Sequence, residues 1–139
     1  MNLYRLVVGI FLIGIQLSCG EEDELIACNA FPTVDNALYV QLGNDVQVTQ
    51  ASMLSGCLEI RYSYQGCDGN REAALVFDDR VAESFPPTRW ARLYMEEAGD
   101  CAQTHSRTLR VDLTLIQVAD LNSVQIVLEG WPDPIVYRY

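Results

Sequence analysis

The sequence predicts an all-β protein, an immunoglobulin-like antiparallel β-sandwich of about seven to eight strands. Apolar and polar residues alternate with a period of two along most of the chain, which is typical of half-buried strands. Turn-forming Gly, Asn, Asp and Pro separate these runs about every ten residues. The 139 residues, half of them apolar, suffice for one domain with its own core. A small β-barrel satisfies the same observations and is the alternative.

Eight segments show strand periodicity, and the most regular is 107–115, where Leu109, Val111, Leu113 and Leu115 share one face. A single helical turn is expected over 118–122. The predicted strands are 36–42, 45–49, 58–64, 72–77, 90–95, 107–115, 123–129 and 134–139.

Turn chemistry sets the boundaries between these strands. Gly43-Asn44-Asp45 predicts a tight hairpin, and Asp68-Gly69-Asn70 and Ala98-Gly99-Asp100 predict turns. Pro86-Pro87 excludes regular strand pairing at that point, because proline cannot donate to a ladder.

The N-terminus has the pattern of an export signal. Arg5 supplies a positive charge, and residues 6–15 form an apolar run of ten residues. That run is too short for a membrane span, which needs roughly 20 residues. Residues 1–18 are therefore predicted to be a signal peptide.

The segment Gln16-Leu17-Ser18-Cys19-Gly20 resembles the lipobox of bacterial lipoproteins, with Gln16 where that family usually has leucine. The resemblance implies that the thiol of Cys19 carries a lipid such as palmitate and that cleavage precedes it. Residues 19–27 then form the lipidated cysteine and an acidic tether, and residues 28–139 form the β-sandwich domain. The lipobox resemblance also implies anchoring in the outer membrane, with the domain facing the periplasm or the cell surface.

The charge balance excludes several classes of protein. The net charge is −10, from 9 basic and 19 acidic side chains. Nucleic-acid binding needs clustered cations, and docking on anionic lipid needs the same. We therefore expect no nucleic-acid partner and a membrane attachment made through lipid.

Four cysteines remain once Cys19 is assigned to the lipid, and export permits disulfides. Cys57 and Cys67 flank a predicted strand whose ends lie roughly 20 Å apart, which is too far for a bridge. Of the other two pairings, Cys28–Cys57 with Cys67–Cys101 is preferred, because Cys67 and Cys101 both lie in turns. The rival is a catalytic pair of Cys101 with His105.

Few polar residues form a candidate site. Asp68, Asn70 and Glu72 have a calcium-like spacing, but the rest of a calcium loop is missing and a solvated turn is preferred. Trp90, Arg92 and Tyr94 share one face of a predicted strand and are a candidate binding stripe for a glycan or protein, unless that face is the core.

The segments Gly66-Cys67, Phe85-Pro86-Pro87, Gly99-Asp100-Cys101 and Leu109–Leu113 resemble the β-sandwich of small bacterial lipoproteins, NigD-like ones among them. The resemblance covers residues 57–139. It implies the fold and the location, and it brings no catalytic residues.

The expected function is that of an outer-membrane-anchored lipoprotein with a non-enzymatic binding or structural role in the cell envelope. No catalytic residue, metal ligand or cofactor is predicted. An enzyme inhibitor or adhesin that presents residues 79–88 is the alternative, and a small hydrolase using two carboxylates ranks last.

Overall fold

The computed structural model describes residues 27–41, 46–96 and 99–139. The expected signal peptide, the lipidation site Cys19 and the tether through residue 26 lie outside the described residues, as do Leu42 and the expected 43–45 hairpin. Within the described ranges, no helix has the length and apolarity that crossing a bilayer requires.

Eight strands form two facing sheets. The three-stranded sheet has the order β2-β3-β6 and the five-stranded sheet the order β1-β4-β5-β7-β8. The elements are β1 (Thr33–Val34), α1 (Asn36–Val40), β2 (Val46–Leu54), β3 (Cys57–Gln65), β4 (Ala74–Ala82), β5 (Thr88–Tyr94), β6 (Thr104–Asp112), β7 (Ser123–Leu128) and β8 (Ile135–Arg138). The predicted β-sandwich is confirmed, and in the part of the chain that the structure describes its sheets do not close into a barrel.

Two strand pairs depart from a purely antiparallel arrangement. β1 pairs with β4 in parallel, and β5 pairs with β7 in parallel. Sequence alternation does not report strand direction, because both kinds of pair place successive side chains on opposite faces.

The core lies between the inward faces of the two sheets. In β3 the inward residues are Leu58, Ile60, Tyr62 and Tyr64, all almost completely buried. The buried hydroxyl of Tyr62 accepts a hydrogen bond of 2.9 Å from the backbone N–H of Ala73. The alternation recognised in the sequence thus corresponds to core-facing and outward-facing positions.

Strand direction defines two ends of the sandwich. β3 begins at the Ser55–Gly56 turn, and the loops 83–87 and 113–122 lie at the same end, which we call the entry end. β3 finishes at Gln65, and the loops 66–73 and 129–134, with residues 95–96 and 99–103, lie at that opposite end, which we call the distal end. The described chain enters beside Cys57, hence the first name.

A disulfide closes each end. Cys28 is bonded to Cys57 at the start of β3, with 5.6 Å between their Cα atoms. Cys67 is bonded to Cys101 at the distal end, with 4.8 Å between their Cα atoms. These are the pairings that the sequence favoured, and the second joins the two loops that cross between the sheets.

The strand predicted over 36–42 is wrong, because residues 36–40 form a short helix. The Asp35 side chain caps it by accepting a hydrogen bond of 3.1 Å from the N–H of Leu38. Leu38 and Val40 suggested alternation, but Val40 is exposed and no helix residue is fully buried. A local cap therefore prevails over a weak pattern.

The predicted strand 107–115 ends early, at Asp112, and the helical turn expected over 118–122 lies instead at Thr114–Ile116 as a 3₁₀ turn. Asp112 accepts a hydrogen bond of 2.8 Å from the N–H of Thr114, which stops strand pairing. The Thr114 hydroxyl and N–H also lower the pKa of Asp112.

Removing the distal disulfide should weaken the fold without abolishing it. For a loop of 34 residues, the chain-entropy model gives a loss of about 3–4 kcal/mol in the free energy of unfolding for Cys67→Ser with Cys101→Ser. Denaturant titration measures it. An unchanged midpoint would show that the bridge contributes nothing.

Candidate functional site

An open cleft of about 920 Å³ lies at the distal end. The ends of β2, β3 and β6 form one side, and residues 99–102 form the other. Its lining residues are Val46, Gln47, Val48, Ser63, Tyr64, Gln65, Gly99, Asp100, Cys101, Ala102, Thr104 and Gly130. This distal cleft is the larger of the two concave surfaces described below.

The chemistry of the distal cleft is polar and almost neutral. Gln47, Ser63, Gln65 and Thr104 offer amides and hydroxyls, and Asp100 brings the one carboxylate among its described lining residues. No Lys or Arg lines it in the described chain. Such a surface suits hydroxyl-rich or amide-rich ligands, because those groups can both donate and accept hydrogen bonds.

A cluster of aromatic and charged side chains supports the loop beside the cleft. The Tyr64 hydroxyl donates a hydrogen bond of 2.9 Å to the carbonyl of Asp68. The ring of His105 packs 5.4 Å from that of Tyr64, and its Nε2 lies 3.0 Å from the carbonyl oxygen of Gly66. Arg107 donates to the carbonyl of Gly69 at 3.3 Å.

Gly69 is required by this packing. A Cβ atom there would lie 2.7 Å from Nδ1 of His105, which is closer than real contacts allow. Gly99 holds a positive φ of +86°, and a Cβ would lie 3.0 Å from the Cys67 sulfur. Glycine is thus needed in both predicted turns. At Gly69 it lets the backbone approach His105 closely, and at Gly99 it also permits the positive φ.

Two rival chemistries find no support at the distal end. Cys101 is in a disulfide, so it offers no thiolate to act with His105. The carboxylate of Asp68 accepts from the N–H of Asn70 at 2.8 Å, and Glu72 pairs with Arg107 at 3.0 Å. The described ranges contain no group of three potential metal-ligating side chains.

The predicted stripe of Trp90, Arg92 and Tyr94 lies on the outward face of β5, since Ala91 and Leu93 are the core residues. The alternative interpretation, in which the face with Trp90, Arg92 and Tyr94 belongs to the core, is therefore wrong. All three side chains are half-buried, and Nη1 of Arg92 donates a hydrogen bond of 3.0 Å to the carbonyl of Tyr39 in α1. A binding role for these three residues stays a prediction.

The adjacent acids Asp78 and Asp79 do not form a catalytic pair. Asp78 is fully buried, and Nε of Arg80 donates to both of its carboxylate oxygens at 3.0 and 2.9 Å. The Arg80 side chain, 75% exposed, covers it from solvent. These hydrogen bonds hold the pKa of Asp78 at about 2, against the opposing effect of burial.

A second groove, of about 450 Å³, lies at the entry end. Phe85, Pro86 and Pro87 line one side, and residues 120–123 line the other. The side chain of Phe85 is 92% exposed. Sequence reasoning missed this groove and most of the cleft lining. Outward polar residues of any sandwich look alike in sequence, and no local signal shows which of them meet a loop.

The fold and its sites define a disulfide-braced β-sandwich. No family model and no curated protein matches the chain. Among the solved structures that resemble it are two from Bacteroides. One is a DUF1344 protein of unknown function from Bacteroides vulgatus, with a TM-score of 0.51 and 10% identity, covering 79% of this chain and 55% of that chain.

The other is a NigD-like immunity protein from Bacteroides caccae, with a TM-score of 0.49 and 15% identity, covering 76% of this chain and 58% of that one. The predicted resemblance to the β-sandwich of small bacterial proteins is confirmed at the level of the fold by the first of these structures. This chain spans little more than half the length of either protein. At these identities the likeness shows the fold alone.

Replacing Arg80 with Gln should raise the pKa of Asp78 towards the ordinary aspartate value. In the native protein the pKa is depressed to about 2, so this group stabilises the fold above about pH 4, and the stabilisation is lost as pH falls from about 4 towards 2. The acid-unfolding midpoint of Arg80→Gln should therefore move to higher pH. Carboxyl NMR titration and circular dichroism measure the two quantities.

The matched control is Arg138→Gln, because Arg138 lies on β8, separated from β4 by two strands. It should leave the titration of Asp78 unchanged. An Asp78 pKa that is the same in Arg80→Gln as in the parent would contradict the assignment.

Proposed function

We propose that this protein is an outer-membrane-anchored lipoprotein that uses a non-enzymatic β-sandwich to hold a ligand in the cell envelope, with the distal cleft as its binding site. Cys19 carries the lipid, residues 20–27 connect it to the domain, and the cleft faces away from the bilayer. The domain faces the periplasm or the cell surface.

The observation that carries the proposal is the position of the Cys28–Cys57 bridge. The bridge joins Cys28, which lies nine positions after Cys19, to Cys57 at the start of β3. Fully extended, a link of that length spans at most about 32 Å, so the entry end stays near the lipid. The distal cleft lies at the other end of β3, about 27–30 Å further along its nine residues.

The ligand class follows from the lining. The side chains of Gln47, Ser63, Gln65 and Thr104 provide neutral donors and acceptors beside the apolar ring of Tyr64. Asp100 disfavours anions. A neutral glycan or an extended segment of an envelope protein therefore fits the cleft better than a phosphate or nucleic acid.

A second candidate function is that of an enzyme inhibitor or adhesin that presents residues 79–88 to its partner. Its support is Phe85, whose exposed ring resembles the aromatic anchors of protein interfaces. This loop lies at the entry end, as does Cys57 with its bridge to Cys28, so it points towards the bilayer when the cleft points away. The hydrolase candidate has less support, because each groove has a single carboxylate among its described lining residues.

Replacing Cys19 with Ser should abolish palmitate labelling and release the protein from the membrane fraction, because the thioether bond needs the thiol. Metabolic labelling and fractionation measure this. The control is the double variant Cys67→Ser, Cys101→Ser, which leaves Cys19 intact and should keep the label. Unchanged labelling of Cys19→Ser would contradict the lipoprotein assignment.

Arginine introduced at Thr104 should block the distal cleft, because its side chain would fill the space between β6 and residues 99–102. The probes are maltohexaose and chitohexaose, and backbone amide shifts report binding to the full chain. We expect shifts confined to Ser63, Gln65 and Thr104 in the parent and their loss in Thr104→Arg.

Thr108→Arg is the matched control, since Thr108 is an exposed threonine on the same face of the same strand and does not line the cleft. It should bind as the parent does. Equal loss of binding in both variants, or shifts elsewhere in the parent, would count against the cleft.

A further inference from the structure

The exposed apolar side chains of the described chain are concentrated at the entry end. Six of the nine large exposed hydrophobic residues lie there, on separate loops and strand ends. The most exposed of these six are Phe85 at 92%, Phe31 at 78% and Leu115 at 62%. The six are Phe31, Leu54, Val81, Phe85, Leu115 and Leu121.

The distal end has the opposite composition. Its described loops are rich in Gly, Asp and Glu, and none of the described loop residues is a large exposed hydrophobic side chain. The three other exposed hydrophobic residues, Val34, Val40 and Val136, lie in β1, α1 and β8 and not in a loop. A concentration of exposed apolar side chains at one end is typical of a contact with another apolar phase or partner.

The chain itself indicates which occupant this end meets. The entry end is where the chain departs towards Cys19, and the link of nine residues keeps it within about 32 Å of the anchored lipid. A protein held that close meets the bilayer repeatedly. Side chains such as Phe85 then insert at the boundary between headgroups and acyl chains, and little further translational or rotational entropy is lost.

We propose that the entry end rests on the bilayer surface, with Phe85 and its neighbouring apolar side chains inserted into the headgroup region, so that the distal cleft stands upright. This docking rests on the lipid anchor of the proposed function. It explains why the loop with the most exposed phenylalanine lies at the membrane end and not beside the cleft.

Charge does not supply this contact. Glu83 and Asp120 are exposed beside the apolar residues. Of the exposed cations described there, Arg80 is paired with Asp78, whereas Arg138 lies at the end of β8. Anionic lipid would be repelled as much as attracted, so apolar insertion must act in neutral lipid. We expect the docking to occur on phosphatidylcholine alone.

The test uses the lipidated full chain on phosphatidylcholine vesicles with brominated acyl chains, which quench tryptophan at the depth expected for interfacial side chains, about 5–10 Å. Phe85→Trp places a reporter at the entry end. Gln103→Trp is the matched control, because Gln103 is an exposed loop residue at the distal end. Trp90 and Trp131 are common to both variants and to the parent, whose emission is subtracted.

The added emission of Phe85→Trp should be quenched at least twofold more than that of Gln103→Trp. Equal quenching, or quenching that requires added anionic lipid, would overturn the docking. Flotation of the same samples separates the two proposals: a chain that floats without preferential quenching retains its anchor but does not dock, whereas a chain that fails to float overturns both.

Discussion

One strand, β3, holds the molecule together, because a covalent bond lies at or next to each of its ends. Cys57 begins the strand and is bonded to Cys28, while Cys67 follows its last residue by two positions and is bonded to Cys101. Between these points the inward side chains of β3 are almost completely buried. The two bridges therefore fix the entry point of the chain and the distal loops relative to one rigid element.

This arrangement gives the sandwich a polarity that its core does not have. The interior packs alike along the strands, but the ends differ in composition: apolar loops surround the point of entry, and polar loops surround the cleft. In the function we propose, a tether attached at one end converts that difference into an orientation relative to the bilayer. The proposed binding and attachment then occupy opposite ends and do not compete for the same surface.

Arginine has an internal role that leaves the exterior acidic. Arg80 covers Asp78, Arg110 lies 2.9 Å from Glu59, and Arg107 joins Glu72 to a distal loop. Because these guanidinium groups are engaged with carboxylates of the same chain, most of the remaining charge on the surface is negative. Neither concave surface has a Lys or Arg among its described lining residues.

Alternation of apolar and polar residues was sufficient to predict the sheets. Strands β2, β3, β4, β5, β6, β7 and β8 all overlap predicted segments, because period-two burial is a local property of the backbone. Turn residues and the distance limit on disulfides likewise predicted the pairing of the four cysteines. The errors were local too: the Asp35 cap replaced a predicted strand by α1, and Asp112 ended β6 early.

The sequence by itself determined the all-β class, and it supplied a preferred cysteine pairing and the expectation of a lipid anchor at Cys19. Only the tertiary structure decided strand direction, the face on which Trp90 lies, and the grouping of Ser63, Gln65 and Thr104 around one cleft. The physical reason is that burial patterns and turns depend on neighbours along the chain. A cleft or an apolar end depends on which segments, distant along the chain, come into contact. No local residue pattern in this sequence predicts those contacts.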